Sequence, residues 1–329
     1  MLEFPQSRSN ELPPGPRDIQ AGGLLDNLVK RFVVTVILSF LVALLITAQP
    51  VSAQPPIVTT CISGVNGADI AINKAKPHDA FIASGSVVKH VSRVSPGSGL
   101  CRFGPLLSDI ALGVGVNDSW GVALDRSGNL YVAAGPGIFT ITQILRIAPP
   151  FTGAPTVFYS AGTTLRSLAI HHDILYAADA GAGALLRFDL TIGPSSVKTV
   201  ATIPGVFGVF AVEEDDLFVT SNGGFTGGGN DVRHVTRDEV QTIATGLSFP
   251  EGIGGDAADD DEGNLYIATS GVVFTVPATG GTPIFYAGAP ILFSHGVTVW
   301  KGGGYVTDSH AAGEVHKFTL LKDDEDDTN

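Results

Sequence analysis

The apolar residues of this chain come in short bursts, and one burst pattern returns. Gly121-Val122-Ala123-Leu124 and Leu130-Tyr131-Val132-Ala133 flank the polar segment Asp125-Arg126-Ser127-Gly128-Asn129. The runs hold the β-branched and aromatic residues that strands favour. The segment between them carries turn chemistry: a glycine free to take positive φ, with an Asp and an Asn that bond their own backbone. The pattern predicts two strands joined by a tight turn.

The second run recurs as Ala80-Phe81-Ile82-Ala83, Leu175-Tyr176-Ala177-Ala178, Leu217-Phe218-Val219-Thr220, Leu265-Tyr266-Ile267-Ala268 and Gly304-Tyr305-Val306-Thr307. The aromatic anchors fall at 81, 131, 176, 218, 266 and 305, about 45 residues apart on average. Several short strands in each such repeat signal propeller blades. Six anchors therefore predict an all-β, six-bladed β-propeller of four-stranded blades over residues 54–320. The sixth blade offers three runs (296–300, 304–307 and 313–320) before an acidic tail begins. The strand-like residues 57–62 are predicted to supply its fourth strand and so to cover an open edge.

Two of these phrases resemble known repeats. Gly121 through Ala134, and Pro250-Glu251-Gly252-Ile253-Gly254 with Gly263-Asn264-Leu265-Tyr266-Ile267-Ala268, are similar to NHL repeats. The wider resemblance is to the gluconolactonase-like and strictosidine-synthase-like propellers, over about residues 57–320. It implies the fold strongly and the activity weakly, because one fold hosts many functions.

Residues 1–29 hold Pro5, Pro13, Pro14 and Pro16 without a sustained period and are predicted to be a disordered leader. Lys30 and Arg31 then precede an uncharged apolar run, 32–48, followed by Val51-Ser52-Ala53 ahead of Gln54. Residues 30–53 read as a signal peptide cut after Ala53 or as a retained membrane anchor. Either reading puts the propeller outside the cytoplasm: secreted, periplasmic or membrane-anchored. The two cysteines, Cys61 and Cys101, are then expected to form a disulfide.

The formal net charge is −13, and much of it sits in Asp256, Asp259, Asp260, Asp261 and Glu262 and in the disordered tail, 321–329. No basic stripe suits a nucleic acid. The acidic turn lacks the first ligand and the closing glutamate of a calcium loop, so it is expected to be a solvated turn.

Blade order assigns faces. Residues just before each inner strand and just after each anchor share one face, here called the top, where sites on this architecture gather. These slots hold Asp69, Trp120, Arg166, Phe207, Glu251 and His295, joined by Asn222, Asp308 and His310 from the second-to-third connections. They are expected to line the channel mouth and to bind a small molecule or a protein. Membrane contact is expected only through residues 32–48, if uncleaved. Glu251 and His295 each precede a glycine that opens an inner strand, in the fifth and sixth blades, and are predicted to converge as the catalytic centre of any enzyme here. Asp69 completes a candidate ligand set with them for a divalent metal, calcium or zinc. His171 and His172 fall at a bottom turn and, as strand neighbours, are expected to point to opposite faces.

The resemblance adds expectations of its own. Gluconolactonase-like relatives hold a calcium-type ion with a Glu, an Asp and Asn residues ahead of the slot glycine; here that slot holds Trp120, Phe207, Glu251 and His295, none of them Asn. Zinc-using lyases of this type bring several mouth histidines, matched here by His295 and His310. Strictosidine-synthase-like relatives use a mouth Glu as acid or base, a role open to Glu251. The leading expectation is an exported or membrane-anchored propeller that binds a ligand or partner at its top face. The alternative is a metal-dependent lactonase-like hydrolase or lyase.

Overall fold

The computed structural model describes residues 56–73, 79–91, 106–223, 229–255, 263–300, 303–309 and 313–320. The chain divides into Met1–Gln54 and Pro55–Asn329, and the described residues belong to the second unit.

Among the described residues, strands form six four-stranded antiparallel sheets. The first blade runs Asp69–Ile72, Ala80–Ser84, Val87–Val91 and Leu106–Ala111 from the axis outward, and the next four follow the same order. The inner strands are Asp69–Ile72, Asp118–Leu124, Leu165–His171, Val206–Glu213, Ile253–Gly255 and Ser294–Trp300. Each contacts the next around the axis, and the sixth meets the first. The chain is a six-bladed β-propeller.

The repeating aromatics hold this ring together. Phe81, Tyr131, Tyr176, Phe218, Tyr266 and Tyr305 are all buried, one on the second strand of each blade. These strands are covered on both faces by neighbouring blades, which explains their unbroken apolar runs. Leu130–Gly135, Ile174–Asp179 and Gly303–Asp308 are buried at every position. The core is accordingly divided into apolar clusters lying between adjacent blades, such as the one joining Phe81 and Val88 of the first blade to Val122 and Val132 of the second.

The turn chemistry read from the repeat is present. Asp125 accepts hydrogen bonds from the Asn129 backbone (2.8 Å) and side-chain amide (2.7 Å), and Gly128 takes φ 80°. In the sixth blade the strand order is Ser294–Trp300, Gly303–Asp308, Glu314–Thr319 and then Val58–Ser63. Val58 faces Phe318 and Ser63 faces Glu314. The earliest described strand thus pairs with the last one.

The leader 1–29, the signal or anchor segment 30–53, Cys101, the acidic turn from Asp256 to Glu262, His310 and the tail 321–329 lie outside the described residues. Among the described residues no helix is long and apolar enough to cross a membrane.

Candidate functional site

The slots that end in glycine have a backbone cause. Inner strands meet so closely around the axis that a side chain would strike the next blade. A Cβ on Gly252 would stand 2.0 Å from the His295 carbonyl oxygen, one on Gly208 2.2 Å from that of Glu251, and one on Gly121 2.5 Å from that of Arg166. The register also slips at these slots, between Ser119 and Val122, Leu165 and Leu168, Val206 and Val209, and Ser294 and Val297. Each slip inserts one extra residue, a β-bulge, which re-aims a side chain out of the pleat. Trp120, Arg166, Phe207 and His295 all sit in such bulges. The sequence therefore builds a ring of aimed side chains, with Trp120, Phe207, Glu251 and His295 each set before a glycine and Arg166 before Ser167.

Those side chains meet. The Trp120 indole is met by the Arg166 guanidinium over its face, 4.1 Å from the ring centroid. Phe207 and His295 meet it edge to face, at centroid distances of 5.4 and 5.2 Å. The same guanidinium stands 5.3 Å from the Phe207 centroid. A cation held between ring faces is stabilised by their quadrupoles. Burial pulls the Arg166 guanidinium down to about 10, against the opposing pull of Glu251 and Asp118.

Glu251 and His295 are hydrogen-bonded through Oε2 and Nδ1. The other ring nitrogen, Nε2, lies 2.5 Å from Oγ of Ser309. Glu251 is fixed through its main chain: its N–H donates to the Ala268 carbonyl at 2.8 Å, and its carbonyl accepts from Thr220 Oγ1 at 2.6 Å. Both side chains keep 19% exposure, so the pair is sheltered yet reachable.

Ser309 and Asp118 belong to this site and escape the slot reading. Ser309 lies between Asp308 and His310, the two residues taken from this second-to-third connection. Its strand ends at Asp308, so Ser309 leaves the pleat, and its N–H donates to the Phe293 carbonyl at 3.0 Å. Asp118 sits two residues before Trp120, and its carboxylate accepts from the Ser119 N–H at 3.0 Å. Burial raises the Asp118 carboxyl above the usual range, against the Ser119 N–H and the Arg166 charge. Asp118 opens the inner strand ahead of the bulge, paired with Gly135, so a reading confined to the residue before glycine passes over it.

Other expected site residues take different positions. Asp69 stands in the glycine slot of the first blade, one residue deeper than the others: it faces Ala83, two residues after the Phe81 anchor. Ala68 therefore occupies the mouth position. The Asp69 oxygens accept from the Ile70 and Val122 N–H groups at 2.9 and 3.1 Å, and burial pushes the carboxyl up to about 7 despite them. This corrects the candidate metal set of Glu251, His295 and Asp69. The Asp69 carboxylate is turned to backbone amides, and Glu251 is bonded to His295. Among the described residues no three His, Cys, Asp or Glu side chains are gathered to hold an ion. The site as described does not fit calcium or zinc.

Asp308 and Asn222 are likewise buried beneath the rim and do not line the mouth. The Asp308 carboxylate accepts from the Leu292 and Phe293 N–H groups at 2.7 and 2.9 Å and so braces the loop that delivers His295. His171 and His172 do not oppose one another. His172 takes φ 55° in the turn, which brings the two rings to 4.0 Å. Cys61 lies on the outer strand of the sixth blade, and its expected partner Cys101 is outside the described residues.

The mouth is filled rather than open. About 20 Å³ is left among Trp120, Arg166, Phe207, Glu251 and His295, room for about one water. Beneath it the channel widens to ≈ 300 Å³, and Asp69, Ser167 and Gly252 border both spaces. Around the mouth, Phe249, Leu292 and Phe293 are more than half exposed on the segments leading to Glu251 and His295. Phe139 is exposed too, and its carbonyl accepts from Thr164 Oγ1 at 2.7 Å, close to Arg166 in the chain. Phe249 also holds φ 48°, a left-handed conformation that costs a bulky residue about 1–3 kcal/mol. Exposed apolar side chains thus stand on the segments that lead into a polar centre.

No protein-family model and no curated sequence matches the chain. Solved structures do. A chain of a nidogen–laminin complex is 13% identical with a TM-score of 0.57, covering 69% of this chain and 84% of its own. The PQQ-bound aldose sugar dehydrogenase of Streptomyces coelicolor is 13% identical with a TM-score of 0.57, covering 81% and 99%. A gluconolactonase of Xanthomonas campestris is 13% identical with a TM-score of 0.53, covering 82% and 96%. At this identity the likeness establishes the propeller fold and carries no activity across.

Proposed function

We propose that this chain is an exported or membrane-anchored propeller that binds a small, uncharged molecule with an apolar body at its top face. The basic flank, apolar run and Val51-Ser52-Ala53 segment support export. One observation carries the binding reading: Phe139, Phe249, Leu292 and Phe293 stand exposed on the segments leading into a half-buried polar centre. Large apolar side chains grouped on a surface mark interaction sites. A few convergent polar groups inside an apolar rim are the usual build of a small-molecule site. At the mouth Arg166 faces Glu251 and Asp118, so the charges largely offset and favour a neutral ligand with a carbonyl or hydroxyl end.

The test is a titration of the full chain with N-phenyl-1-naphthylamine, a neutral apolar fluorophore. The expected result is saturable binding that weakens at least tenfold in Phe249→Ser/Phe293→Ser, with the fold retained. Equal affinity in the variant contradicts the reading.

A further inference from the structure

We propose that Ser309, His295 and Glu251 form a nucleophile–base–orienter relay that hydrolyses an uncharged carboxylic ester or lactone. The inference rests on the top-face binding reading and adds a reaction to it. Three separate segments bring the groups together: the lead-in to the fifth inner strand, the sixth inner strand, and the end of the sixth blade's second strand. Glu251 Oε2 is bonded to His295 Nδ1, and His295 Nε2 lies 2.5 Å from Ser309 Oγ.

The bonding order fixes the protons. An ionised carboxylate only accepts, so the Nδ1 that meets Glu251 carries the hydrogen. Nε2 then presents its lone pair, and the Ser309 hydroxyl donates to it. This assignment comes from the hydrogen-bond network. It is the arrangement in which an imidazole takes a proton from an attacking hydroxyl while a carboxylate holds the ring. Ser309 is half-buried and so within reach of a ligand at the rim. Its N–H bond to the Phe293 carbonyl ties it to the exposed apolar residues of that segment, which would seat the acyl or alcohol portion. Arg166 brings positive charge to the mouth, where negative charge would develop on the carbonyl oxygen.

The steps balance with water as the co-reactant. Ser309 Oγ attacks the carbonyl carbon, and its proton passes to His295 Nε2. The tetrahedral adduct collapses, the C–O bond to the alcohol breaks, and His295 returns the proton to the leaving oxygen. Water then attacks the acyl-serine with His295 taking its proton. The acid departs and Ser309 is reprotonated. Ser309 and His295 are catalytic residues on this reading, and Glu251 is a positioning residue.

The test uses the full chain with p-nitrophenyl butyrate as substrate and diethyl p-nitrophenyl phosphate as a covalent probe. The expected results are hydrolysis that falls at least 100-fold in Ser309→Ala, and a diethylphosphoryl mass on the peptide containing Ser309. Ser309→Ala should still unfold cooperatively close to the melting temperature of the unmodified chain, so that the lost hydrolysis is not a lost fold. Glu251→Gln should lower kcat at least tenfold with KM unmoved, and Glu251→Asp should restore part of it. Probe binding without hydrolysis by the unmodified chain, or equal hydrolysis in Ser309→Ala, overturns the relay and leaves the binding reading standing. Absence of probe binding strikes the binding reading instead.

Discussion

Trp120 and His295 come from the second and sixth blades, yet their rings meet edge to face at 5.2 Å. The first blade lies between them and presents Ala68, since Asp69 sits one residue deeper. The indole crosses that gap and fills the mouth above the channel. Trp120→Ala should therefore open the small upper space into the ≈ 300 Å³ channel below. Because the indole is only partly buried, the cost should fall below that of a fully buried Trp→Ala change, at about 2–3 kcal/mol in urea unfolding. An unchanged unfolding midpoint would mean that the indole packs against nothing that matters.

Gly252 is where the ring has least room. Gly252→Ala puts a methyl 2.0 Å from the His295 carbonyl oxygen, so the fifth and sixth blades must separate. The expected loss is about 3 kcal/mol or more. Gly162, which has open space around its Cβ direction, should tolerate alanine within about 0.5 kcal/mol. Similar thermal shifts in the two variants would refute the close approach of inner strands as the reason for glycine.

Asp69 gives the fold a pH dependence of definite sign. Its carboxyl is raised to about 7 in the folded chain by burial, against an ordinary value near 3.9 when unfolded. Between those values the folded state holds a proton that the unfolded state has released, so stability falls as pH rises from about 4 to about 7. Above about 7 the loss is complete. Asp69→Asn removes the titrating group and should flatten this part of the curve, by about 2–4 kcal/mol between pH 4 and pH 7. Parallel curves for the two proteins in chemical unfolding would exclude Asp69 as the source.

The pairing of Val58–Ser63 with Glu314–Thr319 ties the two ends of the propeller together. A chain beginning at Gln54 should keep its melting temperature. One beginning at Val65 loses that strand and uncovers the edge of Glu314–Thr319, and should melt lower by about 10 °C or more. Equal melting temperatures would show that the outer strand adds no stability.

The blades were legible because each aromatic anchor must be buried between neighbours, and burial on two faces leaves a dense apolar phrase in the sequence. Most of the mouth was legible for a related reason: the glycine forced by the crossing backbone marks the aimed residue before it, as in Glu251-Gly252 and His295-Gly296. Asp69 misled because it occupies the glycine's own place, where an Asp is tolerated by bonding the Val122 N–H. Ser309 was hidden because the strand ends just before it and alternation no longer says where a side chain points. Asp308 shows the converse: a rim position by sequence, it is drawn inward by the loop amides it caps.

The proposed binding site is the top-face mouth at Trp120, and the chain supplies its own reporter. It has two tryptophans, Trp120 at the mouth and Trp300 buried at the far end of a sixth-blade strand. In Trp300→Phe, only Trp120 emits. Titrating that variant with N-phenyl-1-naphthylamine while following Trp120 emission should give quenching by energy transfer that saturates at one equivalent of probe. Saturable probe binding that leaves Trp120 emission unchanged would put the site elsewhere and contradict the account.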